Sequence, residues 1–401
     1  MKIAIFFDQN NSAGGGFQQS ISDAKRFISI FSEEHEIFCY YENGMKKSFQ
    51  SLFDEKFKVT FVPYEYNLLN KIFDLINYNA KSSSFISPFI NKILRFTRFE
   101  KLFLQNSIDL VYFLSPNINS RYFNSILYFV TVWDNCSRLY PEFPEVRNNY
   151  RYELVEKNIS IVLQKSSAIF VDSEFTSFNL SKYYNIEEKK IIISGLDPSP
   201  DLDLETIDFR KNFGKKKYIC YPAQFWAHKN HSYIVYAIKN LLDKFDEKLY
   251  VKFTGVNKGN EGFIKKLVDD LKLNEQFSFC GYVSNEELKK IYSNSIGLVM
   301  PSYYGPLNIP ILDAIKIRLP VFYSSIYKDH IDFNSDEITF IDIENINDLS
   351  SKLNLLIKNT DIFYKKTLKA SYKFNSYNKL NILKLKKLMI SVSALLSTFK
   401  R

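Results

Sequence analysis

The chain has 401 residues, 46% of them hydrophobic and 24% charged, with 53 Lys and Arg against 44 Asp and Glu, a net charge of +9 and a pI near 9.0. This length exceeds what one core usually organises, so two domains of ordinary size are expected, with the composition of a soluble globular protein. Cys39, Cys136, Cys220 and Cys280 are widely spaced, without a disulfide framework or zinc spacing, and no window approaches a membrane span, which together favour a reducing, cytoplasmic setting. The apolar run in Met1 to Asp8 is too short for a signal peptide, so export is not expected. Excess positive charge can serve nucleic acid, anionic lipid or an anionic substrate. The abundance of Lys, Asn, Ile, Phe and Tyr, all with AT-rich codons, offers a base-composition origin instead. No clustered basic and aromatic motif supports a nucleic-acid partner.

Residues 2–7 form a nearly continuous apolar run and predict a buried strand. It ends in Asp8 to Gly16, and a helical pattern then runs to Ile30. Glycines 14–16 let backbone N–H groups approach a phosphate, or simply make a flexible turn. Strands are predicted at His35 to Tyr40, Lys58 to Val62, Ile108 to Leu114 and Ile126 to Val132, with helices between, an alternation that implies a doubly wound sheet. The insert from Asn67 to Gln105 differs. Its segment Phe89 to Phe103 mixes Ile, Leu and Phe with Lys92, Arg95, Arg98 and Lys101, either a basic amphipathic surface for anionic lipid or an ordinary helix with its charges in water. After Val132 comes Trp133-Asp134-Asn135-Cys136-Ser137-Arg138-Leu139-Tyr140-Pro141-Glu142-Phe143-Pro144. A strand at Ser167 to Val171, a helix capped by Ser173 and a strand at Ile191 to Ile193 follow. From Asp197 the composition turns to Pro, Ser and Asp, which marks a linker over 197–216. Asp201-Leu202-Asp203 has an Asp-x-Asp form that matches easily by chance, and no metal site is read there.

A second alternation starts with a strand at Lys217 to Tyr221, running into Pro222 to His231 with the pair Lys229-Asn230. Strands at Tyr250 to Gly255 and Gln276 to Cys280 follow, then Gly281-Tyr282-Val283 and a helix from Ser284. His228, His231 and His330 lack a third local ligand, so the pair reads as a polar loop near phosphate rather than a metal site. The apolar run Ser295 to Met300 predicts a buried strand that empties into Pro301-Ser302-Tyr303-Tyr304-Gly305-Pro306-Leu307-Asn308-Ile309-Pro310-Ile311-Leu312-Asp313-Ala314. Strand, loop and helix start make a site for an anion, because the helix N-terminus offers unpaired N–H groups and partial positive charge. Asn308 is placed to cap that helix and Pro310 suits its first turn. Asp313, one turn in, is expected to lean back toward the loop, where a carboxylate beside a diphosphate needs hydroxyls such as those of a ribose. The tail from Tyr372 to Arg401 predicts a long helix with Leu and Ile set against Lys.

Pro301 to Ala314 resembles the signature of the group 1 retaining glycosyltransferases with the GT-B fold, which runs Pro-Ser, Glu-Gly-Phe-Gly-Leu-Pro, Leu-Glu-Ala with glutamates at both ends of a nine-residue window. Asp313 stands for the second glutamate. Gly305 replaces the first, as in a subgroup associated with bacterial surface-polysaccharide synthesis that reads Gly-Pro-Thr-Asn-Ile-Pro-Pro-Leu-Glu-Ala. Trp133 to Pro144 is similar to the family's His-Asp and Pro-Glu-Phe-Pro loop; Asp134 keeps its place, and the indole of Trp133 cannot act as a base. Lys229-Asn230 resembles the pair that holds the donor diphosphate, while Ala223 replaces an arginine often found six residues earlier. Gly15 and Gly16 resemble the glycine motif of the first loop, Ser173 the Val-Ser-Glu turn, and Arg318 stands where glycine is usual.

The resemblance implies an α/β protein with two Rossmann-like domains whose parallel sheets face across a cleft. Residues 1–196 would bind acceptor, 217–371 would bind nucleotide-sugar, and 372–401 would pack back on the first domain or face a membrane. It further implies transfer of a hexose or deoxyhexose from a nucleotide-diphosphate sugar to a glycan or lipid-linked glycan, with retention and with neither metal nor cofactor, at the inner face of the cytoplasmic membrane. Lys229 and Asp134 are the implied catalytic residues. Gly15, Gly16, Asn230, Gly305, Leu307, Asn308, Ile309 and Asp313 join Lys229 at the donor, and Gly281, Tyr282 and Val283 lie near its base. Trp133 and Arg138 lie near sugar or acceptor, although a loop-stabilising salt bridge accounts equally for Asp134 and Arg138. Gly305, Trp133 and Ala223 also admit a non-catalytic nucleotide-sugar-binding or scaffold subunit.

Overall fold

The computed structural model describes residues 1–8, 15–43, 49–50, 53, 57–82, 96–199, 202, 205–214 and 216–399. Gly14, Lys92, Arg95, Asp201 and Asp203 lie outside the described residues. The first sheet contains β1 (Lys2–Phe6), β2 (Glu36–Glu42), β3 (Val59–Tyr64), β4 (Leu110–Phe113), β5 (Leu127–Val132), β6 (Ala168–Val171) and β7 (Ile191–Ile193). Their order is β3-β2-β1-β4-β5-β6-β7 and every pairing is parallel. The second sheet contains β8 (Tyr218–Pro222), β9 (Tyr250–Thr254), β10 (Phe277–Phe279), β11 (Gly297–Met300), β12 (Val321–Ser324) and β13 (Thr339–Ile341), again all parallel, in the order β10-β9-β8-β11-β12-β13. Helices cover both faces, and this is why β4, β6, β11 and β12 are buried at every position and read as unbroken apolar runs. Two doubly wound parallel sheets are the architecture expected from the alternation of strands and helices.

Several contacts hold the two halves together. Arg26, on the helix Gly15–Phe31, donates from Nη1 to the Gly195 carbonyl at 3.1 Å and pairs through Nε with Asp197, the first linker residue, at 3.7 Å. The Phe175 amide donates to the His330 carbonyl at 3.3 Å. The helix Thr360–Phe399 starts twelve residues before the expected Tyr372, and its 40 residues extend for about 60 Å at 1.5 Å per residue. Phe363, Ala370 and Phe374 belong to the core around the second sheet, whereas Leu385, Met389 and Val392 belong to a core of the first. One continuous helix therefore contributes apolar side chains to both domains.

With Arg318 where glycine is usual, the turn after the helix Ile309–Ile317 had either to differ or to be strained, and it is strained: Arg318 adopts the left-handed conformation at φ 65°, and its amide donates to the Ile315 carbonyl at 3.1 Å. A non-glycine residue there costs about 1–2 kcal/mol.

Candidate functional site

In the second sheet, successive strands run outward from β8 in one direction and from β11 in the other, so β8 and β11 flank the topological switch point. The loops leaving their carboxyl ends meet there, where open α/β sheets hold ligands. The Tyr303 amide donates to the His228 carbonyl at 2.9 Å. The Tyr221 hydroxyl donates to the Lys229 carbonyl at 2.8 Å and lies 3.0 Å from Ser302 Oγ. A phenol has one proton, so Ser302 is the donor in that second bond. Lys229 ends the short turn Ala227–Lys229 and is half-buried, and Asn230, left-handed at φ 54°, opens the helix His231–Phe245.

Gly305 sits at φ +94°, and a Cβ there would lie 3.0 Å from the Asn308 side-chain amide. Backbone conformation thus explains why this position departs from glutamate. The Tyr323 hydroxyl reaches the Gly305 and Pro306 carbonyls at 2.7 and 2.9 Å and stiffens the loop. Asn308 occupies the N-cap position, yet its side chain makes no capping bond; its amide donates instead to the Gly305 carbonyl. That corrects the expected cap, and the physical reason is the tight turn at Gly305, which brings its carbonyl within reach. The first amides of Ile309–Ile317 are therefore left without a side-chain cap, beside Lys229's loop. Leu307 is buried, Ile309 half-buried, and Pro310 falls in the first turn as expected.

Asp313 departs from expectation more strongly. Its carboxylate faces the linker: Oδ1 accepts from the Ser199 amide at 2.7 Å and Oδ2 from the Ser199 hydroxyl at 2.8 Å. Burial pushes its pKa up to about 6 against those two bonds. Aspartate is one methylene shorter than the family's glutamate, and its oxygens are satisfied beside its own helix.

From the first domain, Gly15 and Gly16 are the opening residues of the helix Gly15–Phe31. Trp133 and Asp134 follow β5 directly, and Trp133 Nε1 donates to Asp23 Oδ2 at 3.3 Å, which fixes the indole on that helix. For Arg138 the structure shows the ion-pair alternative. Its guanidinium is exposed and bonds Glu156 at 2.9 Å and the Tyr152 hydroxyl at 3.3 Å, so the loop-stabilising ion pair is what it forms. After β6, buried Asp172 accepts from the Ser173 and Thr176 hydroxyls, each at 2.9 Å, and the Leu307 backbone of the second domain lies against it. Burial pushes the Asp172 pKa up to about 8, with Asp134 nearby adding to the rise.

Asp172 carries a consequence for stability. Near pH 4 the unfolded carboxyl begins to ionise while the folded one stays protonated up to about 8, so the folded state holds the extra proton and stability falls as pH rises across that window. Asp23, pushed up to about 7 by burial, has the same sign. Between pH 5 and 8 the wild-type melting temperature should fall by about 5 °C more than that of Asp172→Asn in thermal scans. Parallel profiles for the two proteins would exclude a buried neutral carboxyl.

Glu145 was not singled out from the sequence, and it makes the closest polar contact between the domains at this site. Its Oε1 accepts from the His228 amide at 3.0 Å, from His228 Nδ1 and from the Tyr304 hydroxyl at 3.4 Å. The His228 and Tyr304 rings stack with centroids 3.7 Å apart, and Phe143 packs on Tyr303 at 5.3 Å. Burial lowers the His228 pKa to about 4, so the imidazole is neutral at pH 7 and donates from Nδ1. Burial acts to raise the Glu145 pKa, but the His228 bonds outweigh it and hold the carboxyl below its ordinary value. The only sequence signal was adjacency to Pro-Glu-Phe-Pro. Gly255 was also missed as a site residue: at φ +123° a Cβ would lie 2.4 Å from the Ala223 carbonyl oxygen, and its amide donates to the Gly281 carbonyl at 2.7 Å. Gly281, Tyr282 and Val283 leave the edge strand β10, and Tyr282 is 82% exposed. Among the described residues no three His, Cys, Asp or Glu side chains converge as a metal site, and no helix is long and apolar enough to cross a membrane.

The family model for glycosyl transferases group 1 matches residues 203–374, the half that carries Lys229 and the Gly305 loop. An uncharacterized glycosyltransferase of Methanocaldococcus jannaschii is 28% identical over 35% of this chain and 37% of its own length. The O-antigen chain mannosyltransferase RfbU of Salmonella typhimurium is 30% identical over 37% of this chain and 39% of its own. The O-antigen chain mannosyltransferase B of Escherichia coli is 22% identical, over 46% and 50%. The chain thus spans half or less of the length of these curated relatives. Among solved structures, a glycosyltransferase from Rickettsia africae superimposes with a TM-score of 0.68 at 17% identity, covering 98% of both chains. Anabaena HepE, solved with UDP and glucose, gives 0.67 at 12%, covering 98% of this chain and all of its own. At these identities the likeness establishes the fold.

Proposed function

We propose that this chain, which has the GT-B fold, is a group 1 glycosyltransferase and that it transfers a hexose or deoxyhexose from a nucleotide-diphosphate sugar to a surface glycan or its lipid-linked precursor, with retention at the anomeric carbon. One observation carries the reading: Lys229 and the uncapped amides at Ile309 lie on two loops cross-linked by Tyr221, Ser302 and His228 at the switch point of the second sheet. Positive charge and N–H donors on crossed loops suit a diphosphate, and they act most on the charge that grows as it departs. Asn230, Gly305, Leu307 and Asn308 shape that cradle, with the Gly15 and Gly16 amides opposite. Asp134 and Trp133 face it from β5 and orient the sugar or acceptor hydroxyl. Gly281 to Val283 border the base. Asp313 contributes by tying the linker to the donor-binding helix. The mannosyltransferase relatives make mannose the first donor to test.

Purified protein should release nucleoside diphosphate from one member of a panel of nucleotide-sugars in the presence of a lipid-linked glycan acceptor. Binding without release across the panel would favour the scaffold reading that Gly305, Trp133 and Ala223 admit. Because Lys229 and backbone amides supply the positive charge, transfer should persist in excess EDTA. Complete loss restored by Mn²⁺ or Mg²⁺ would overturn this mechanism.

A further inference from the structure

The helix Leu68–Ser82 is built inside out. Its inward side carries Asp74 and Asn77, both essentially inaccessible, and Asp74 accepts from the Arg98 and Phe99 amides at 2.7 and 2.8 Å and from the Tyr66 hydroxyl at 2.9 Å. Its outward side carries Leu68, Leu69, Ile72, Leu75 and Ile76, exposed by 70, 71, 46, 43 and 64%. At 100° per residue these five fall within one arc of about 120°. A helix pinned to its domain by an aspartate and showing five large aliphatic residues to solvent presents an interaction surface.

We propose that this face docks on an anionic lipid bilayer, lying on it rather than crossing it. Charge identifies the occupant. Residues 66–104 contain six Lys and Arg against two acids, Asp74 and Glu100. Both acids are fully buried and bonded inward, Glu100 through the Asn124 and Ser125 amides at 2.8 and 2.7 Å. Among the described residues of this region the exposed cations are Lys71, Arg98 and Lys101, while Glu65, ahead of the helix, accepts from the Asn43 side-chain amide at 2.6 Å. A second copy of the chain packed face to face would set like charges against each other, whereas anionic headgroups complement them while the acyl boundary takes the aliphatic side chains. Most of the segment Phe89 to Phe103, where a basic amphipathic surface was expected, lies outside the described residues, and the face proposed here belongs to the helix before it. None of these residues belongs to the donor cradle, so docking can fail while transfer holds, and the reverse.

The test is flotation of the full chain with vesicles of phosphatidylcholine alone and of equal parts phosphatidylcholine and phosphatidylglycerol. The wild type should float with the anionic vesicles and be released by salt. The triple variant Leu69→Asn, Ile72→Asn, Ile76→Asn should lose about tenfold in partitioning, with its melting temperature and donor turnover unchanged. Lys71→Glu should weaken binding about threefold. Equal flotation with neutral vesicles, no flotation, or wild-type flotation by the triple variant would overturn the proposal. A wild-type dimer that the triple variant converts to monomer, without flotation, would assign the face to a second copy.

Discussion

Lys229→Ala should lower the turnover number for donor about a hundred- to a thousandfold while raising donor KM less than tenfold. Lys229 is half-buried on a loop whose backbone is fixed by the Tyr221 hydroxyl and by the Tyr303 amide, so the stem of its side chain is anchored before donor arrives. A fixed charge needs no reorganisation as the glycosidic bond breaks, and its interaction strengthens as the leaving diphosphate gains charge. Under the proposed donor site, ground-state binding should change less, because the amides at the start of Ile309–Ile317 would still meet the diphosphate. Steady-state kinetics with calorimetry of donor binding separates the two terms. If the alanine variant kept its turnover number and lost only affinity, Lys229 would be an anchor and the charge-stabilisation mechanism would fail.

Glu145→Ala should reduce kcat/KM about ten- to a hundredfold, although Glu145 is not placed against the donor. Its carboxylate bonds the backbone and ring of His228, the residue before Lys229, and the hydroxyl of Tyr304, the residue before Gly305. Removing it leaves two buried donors unpaired and loosens both loops against the first domain, leaving such contacts as Phe143 on Tyr303 and Asp172 against Leu307. Glu145→Gln retains an oxygen that accepts from the His228 amide and from neutral Nδ1, so it should recover most of the activity. That rescue distinguishes positioning from a direct electrostatic role. Alanine at wild-type kcat/KM would dismiss the clamp, and a glutamine variant as impaired as alanine, with its melting temperature intact, would mean that the charge itself acts on the reaction.

Legibility from the sequence followed the range of the forces involved. Strand runs such as Leu110–Phe113 and Gly297–Met300 are local and apolar on both faces, so their places were evident. The strands β12 and β13 were not separately recognised, since Ser324 and Thr339 interrupt their short apolar runs. The strand-to-helix loops that carry Lys229, Asn230 and Gly305 were legible because turn chemistry and helix starts are written in consecutive residues. Asp313 was misdirected, and the two readings of Arg138 stayed open, because their partners, Ser199 and Glu156, lie 114 and 18 residues away.

By itself the sequence determined two parallel α/β domains, the strand-to-helix loops that can cradle an anion, and the absence of proton-transfer chemistry at Trp133, since these depend on local periodicity, backbone freedom and side-chain type. Only the tertiary structure decided that Asn308 braces Gly305 instead of capping its helix, that Asp313 belongs to the linker, and that Glu145 clamps the two domains through His228. It alone turned the helix Leu68–Ser82 so that Asp74 faces in and the leucines face out. The reason is common to all four. A polar side chain that folding removes from water must bond whatever donor or acceptor the other elements bring within about 3 Å, and chain order does not specify which one that is.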